Sequence, residues 1–95
     1  MIKTTALVLS AVLFSGLTQA CTKPGAPELP DAATAVTAQM VKAKNDVQLY
    51  LADANSYLAC VKGDRRHNKM VKSMEKIGNA FNGTVRQYKK RMANG

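Results

Sequence analysis

The stretch VTAQMVKAKNDVQLYLADANSYLACV, running from Val36 to Val61, decides the fold. Its apolar residues Val36, Met40, Ala43, Val47, Tyr50, Ala54, Tyr57 and Val61 follow one another at intervals of 4, 3, 4, 3, 4, 3 and 4. That alternation draws one unbroken seam along an α-helix, the pattern of a helix packed on a partner. Leu51 and Leu58 widen the seam on one side. Asp31 or Thr34 can cap the start, which puts this first helix at about 34–62. Gly63 is the expected left-handed stop, with Lys62 suited to the C-terminal end.

Downstream, residues 63–67 form the expected turn, too short for anything but an antiparallel return. Asp64 or Asn68 is the expected cap of a second helix at about 65–92, leaving 93–95 as a frayed tail. Two overlapping apolar rows run along this helix. One is Met70, Met74, Ile77, Phe81 and Tyr88; the other is Val71, Met74, Gly78, Phe81, Val85, Tyr88 and Met92. A stripe that broad can serve two neighbours at once. Gly78, on the inner side, suggests a close backbone approach.

Upstream, residues 1–20 read as a signal peptide. Met1-Ile2-Lys3 is the basic start, Ala6 to Phe14 the apolar run, and Thr18-Gln19-Ala20 a small-residue cleavage site. The run is too short to span a bilayer as a stable helix. Processing there leaves a chain beginning at Cys21, exported to the periplasm or cell envelope. Cys21 and Cys60 are the two cysteines, and an oxidising compartment makes one disulfide the default. The alternative is a lipoprotein anchored through Cys21, although only Ala20 of the three preceding residues suits that processing. The two fates exclude each other, since one sulfur cannot serve both. A chain this small buries little apolar surface and needs such a staple.

Residues 21–33 form a proline-rich arm, with Pro24, Pro27 and Pro30 one polyproline turn apart. The arm is either a flexible leader or a strap folded back along the first helix. Cys60 lies about 36 Å from Val36 along a helix, and residues 21–35 extend to roughly 45 Å, so the strap can reach. Pro24 and Pro27 are then spaced to stack on Tyr57 and Tyr50. The expected architecture is all-α: an antiparallel two-helix hairpin with the arm along it and a Cys21–Cys60 bridge. A dimer forming four helices is the alternative, because an isolated hairpin leaves apolar edge exposed.

Charge is divided unequally. The whole sequence carries 14 Lys and Arg against 6 Asp and Glu, and from Asp64 onward nine basic residues face only two acidic ones. Arg65, Lys69, Lys72, Lys76, Arg86 and Lys90 recur at helical spacing on the side away from the apolar stripe. They are either a solvated face or a ridge for an anionic partner. No stacking aromatics interleave them, so nucleic acid ranks below lipid head groups, lipopolysaccharide or an acidic protein. The carboxylates are scattered, Ser56 and Ser73 have no His and acid partners, and the cysteines are not in a C-x-x-C spacing. We therefore expect a protein that is not an enzyme and uses no cofactor. A further alternative is soft-metal binding, Cu(I) or Ag(I), by His67, Met70 and Met74; against it, the two methionines also fit the core.

The segments Asp31-Ala-Ala-Thr-Ala with Gln39-Met40, Tyr57-Leu58-Ala59-Cys60, His67-Asn68-x-Met70-Val71 with Met74-Glu75, and Phe81-Asn82 with Val85-Arg86-x-Tyr88-Lys89 resemble a group of small exported proteins of Gram-negative bacteria. The resemblance covers most of the chain after residue 20 and rests on packing and capping residues. It implies an envelope location and brings no assigned activity with it. It draws attention to the pairs His67-Asn68 and Phe81-Asn82, where Asn68 is readable as a helix cap and Asn82 as a hydrogen-bonder to the arm.

Overall fold

The structure, a computed structural model, describes residues 21–95. The expected signal peptide at 1–20 lies outside the described residues. Two helices account for most of the described chain: α1 (Thr37–Cys60) and α2 (Asp64–Asn94), packed against each other. There is no strand among the described residues.

The seam predicted for α1 is the one it buries. Met40, Ala43, Val47, Tyr50, Ala54 and Tyr57 are all buried, and Ala54 is wholly inaccessible. From α2, Met70 and Ile77 join Val47, Tyr50, Ala54 and Tyr57 in a single core, with Leu29, Leu51, Leu58, Val61, Met74 and Phe81 packed around it. Only the ends of the seam depart from expectation. Val36 is exposed and precedes the helix, and Val61 is half-buried just beyond it.

The boundaries shift for local reasons. Asp31 does act as a cap, but of a single turn. Its carboxylate Oδ1 accepts from the Ala33 N–H at 3.0 Å, and its carbonyl accepts from Thr34 and Ala35 at 3.1 and 2.8 Å. The chain then extends at Val36 (ψ 164°), so α1 starts at Thr37 rather than near 34. There the Gln39 side chain accepts from the Val36 N–H at 2.9 Å and the Gln39 N–H donates to the Val36 carbonyl at 3.0 Å, which holds the first turn.

At the other end α1 stops at Cys60, with Val61 extended and its N–H bonded to the Tyr57 carbonyl at 2.8 Å. Gly63 has positive φ, at 97°, as a left-handed position requires. It does not terminate α1, however: it immediately precedes α2, which begins at Asp64. The connection is thus 61–63, shorter than expected. Asn68 lies inside α2 and exposed, so it caps nothing. Asp64 makes no side-chain cap bond, but it places a carboxylate in the first turn, where the helix dipole favours one.

The disulfide joins Cys21 to Cys60 with a Cα–Cα distance of 5.6 Å. Helix length explains the opposite end. At about 1.5 Å per residue, α2 is roughly 10 Å longer than α1, and its last turns run past the start of α1. Tyr88 marks the crossing, its hydroxyl 2.7 Å from Thr37 Oγ1. Beyond it, Arg91 donates from Nε to the Ala32 carbonyl at 3.0 Å and from its terminal nitrogen to the Ala35 carbonyl. Its guanidinium carbon also sits 5.4 Å from the Tyr88 ring centroid. Ala32 and Ala35 are buried at this overhang. The helix continues through Asn94, with the Gly95 N–H bonded to the Arg91 carbonyl, where a frayed tail was expected.

Candidate anion-docking face

Arg65, Lys69, Lys72, Lys76, Arg86 and Lys90 are all exposed. At about 100° of rotation per residue, the six fall within a sector roughly 100° wide, centred opposite Met70, Ile77 and Phe81. They run along about 38 Å of helix. The row is broken in the middle. Four cations occupy the first half of α2, and Arg86 with Lys90 the last third, separated by Asn79 and Gly83. Among the described residues the one ion pair is Lys42 with Asp46, at 2.7 Å and on α1. None of the six cations is neutralised internally, and Glu75, lying beside Lys72 and Lys76, pairs with neither. What the arrangement offers chemically is a line of exposed positive charge along one helix.

The residues weighed as soft-metal ligands are placed differently from one another. Met70 is wholly buried in the core, Met74 packs against that core, and His67 is exposed in the first turn of α2. The thioether of Met70 is therefore closed off from the surface where His67 stands, and the three residues do not form an open ligand set. Nor do three or more His, Cys, Asp or Glu side chains converge anywhere among the described residues. No described helix is long and apolar enough to cross a membrane.

Two other expectations are corrected. Gly78 does not serve a close approach, since a Cβ built there meets nothing within 4 Å. Asn82 is exposed and makes no bond to the arm.

Arg91 and the groove beside the arm escaped the sequence reading. Arg91 was one basic residue among nine in the second half of the chain. The signal for it was the antiparallel register, which sets Thr37 opposite Tyr88 and leaves the next turn of α2 facing residues 31–35. The groove brings Lys23, Pro24, Gly25 and Ala26 of the arm to Tyr50 of α1 and to Ser73, Lys76, Ile77 and Ala80 of α2. Pro24 and Pro27 line a neighbouring groove, again with Tyr50 and with Leu49. Both prolines thus lie near Tyr50, where the spacing argument had divided them between Tyr57 and Tyr50. Such a meeting of three segments cannot be read from the periodicity of any one of them.

No family model, curated protein or solved structure matches this chain.

Proposed function

We propose that this is a non-catalytic, exported envelope protein whose α2 docks on an anionic surface, lipid head groups or lipopolysaccharide, through Arg65, Lys69, Lys72, Lys76, Arg86 and Lys90. The observation that supports the reading is that these cations share one exposed face and none has an acidic partner among the described residues. A face that serves solubility alone can carry charges of both signs interspersed. A single-sign row on a stiff helix instead adds its attractions when it meets a plane of opposite charge. Export is supported by the residue pattern at 1–20, and the Cys21–Cys60 disulfide is compatible with it. In this reading the arm is a strap, fastened at one end by sulfur and at the other by Arg91, that keeps α2 straight against α1.

The test is co-sedimentation with vesicles containing phosphatidylglycerol against vesicles of phosphatidylcholine alone. Each basic residue near such a surface contributes about 1 kcal/mol, so Lys69→Gln/Lys72→Gln/Lys76→Gln lowers partitioning by about 100-fold at low salt. Binding that is unchanged in the triple variant, or indifferent to salt, ends the proposal.

A second reading, pairing of two hairpins through the flank of α2, is favoured by one feature. Val71, Met74, Phe81 and Val85 are only half-buried and Met92 is exposed. Sedimentation at two protein concentrations separates it from the first.

A further inference from the structure

The groove between the arm and α2 has a different character from the basic face, with which it shares only Lys76. Its volume is about 450 Å3, towards the lower end of small-molecule pockets. The floor is apolar: the buried Tyr50 and Ile77, with Ala80 and Pro24. The polar residues of the lining are Lys23 from the arm and Ser73 and Lys76 from α2.

None of these polar groups is used by the fold. Neither ammonium has an ion pair. Of the Ser and Thr hydroxyls within the helices, Thr37 meets Tyr88, Ser56 donates to the Ala52 carbonyl and Thr84 donates to the Ala80 carbonyl. Ser73 alone has no partner among the described residues, although the Lys69 carbonyl one turn back stands to it as Ala52 and Ala80 stand to Ser56 and Thr84. Gly25 opens the mouth, since no atom lies within 4 Å of where its Cβ would be.

We infer that this groove binds a single-chain anionic amphiphile, with the aliphatic chain on Tyr50, Ile77 and Ala80 and the carboxylate between Lys23, Lys76 and the Ser73 hydroxyl. The apolar floor supplies most of the attraction and the cations select the sign of the head. The strap completes the site: Lys23 and Pro24 lie close to Cys21, so the disulfide that fixes Cys21 at Cys60 also holds one wall.

The probe is decanoate, titrated below its micelle concentration into the oxidised protein and followed by the methyl resonances of Ile77 and Ala80. Saturable one-to-one binding is expected. Acetate, which has the head alone, should bind at least about 100-fold more weakly, since each buried methylene contributes about 0.8 kcal/mol. Decyltrimethylammonium should bind about five- to tenfold more weakly, as two exposed ammoniums provide. Ala80→Phe, at an exposed helical position, fills the floor and should abolish binding while vesicle docking persists. Ser73→Ala and Lys23→Gln should each weaken decanoate about threefold.

Equal binding of acetate, equal binding of the cationic amphiphile, or full decanoate affinity in Ala80→Phe overturns the inference. Decanoate failing while vesicles still bind removes the groove alone. Vesicles failing while decanoate binds removes the docking face alone.

Discussion

α1 and α2 are built to opposite plans. The shorter helix buries six residues and carries neither an excess of charge nor a broad stripe; the longer one buries only two and holds the whole positive excess of residues 21–95. The difference lies in what covers each helix. α1 has α2 along one side of its seam, and Leu29 from the segment before it packs on the same core, so nearly every seam position is enclosed. α2 is covered by α1 on one side, and its other apolar row is left half-open. The spine of the protein is thus its neutral helix, and its charged helix is the one presented outward.

The sharpest way to break that comparison is within α2 itself, where Met70 and Val71 are adjacent but differently covered. Met70→Ala removes a wholly buried side chain and should cost about 2–5 kcal/mol. Val71→Ala, at a half-covered position, should cost about 1 kcal/mol or less. Urea unfolding of the two variants measures the contrast. Equal costs would mean that the open flank is covered in solution.

Next in size is the staple. Closing a loop of 39 residues removes about 4 kcal/mol of chain entropy from the unfolded state on the loop-closure account. Cys21→Ser/Cys60→Ser should lose about that much. It should also expose the arm to proteolysis near Lys23 before either helix opens. A variant that keeps both its stability and its resistant arm would show that the arm is held by packing alone. Arg91→Ala tests the opposite fastening. It deletes two hydrogen bonds to backbone carbonyls and the contact with Tyr88, for about 1–2 kcal/mol. Arg91→Lys should recover little, because one ammonium cannot reproduce the planar fork that reaches Ala32 and Ala35 together.

The same contrast explains what the sequence disclosed. The seam of α1 was legible because it answers to one period, and a helix covered on one face shows that period without interference. The hairpin followed from the short connection after Cys60, and the disulfide from the cysteine count. The caps were less legible. Asp31 and Asn68 have the right chemistry for N-caps, yet Asp31 closed a separate turn and Asn68 fell inside α2, because burial of Ala35 and the turn at Gly63 set the boundaries instead. For Met70 and Met74 the spacing admitted both core and ligand, and only three-dimensional cover distinguished them. Arg91 and the Lys23–Ser73–Lys76 groove depend on which distant segments meet, and nothing local encodes that.

The smallest effect carries the most pointed test of the open flank. Gly78 lies in the interior of α2, where glycine is less favourable than alanine by about 0.5–1 kcal/mol. In the single hairpin an added Cβ at that position meets nothing within 4 Å. Gly78→Ala should therefore stabilise the protein and raise Tm by roughly 3–6 °C, on the scale of small domains. If two hairpins instead pack through Val71, Met74, Gly78 and Val85, the glycine is where their backbones approach, and the same methyl group would lower Tm and reduce dimer content together. The sign of the shift, read alongside sedimentation of wild type and variant, decides whether the uncovered row of α2 faces water or a second copy.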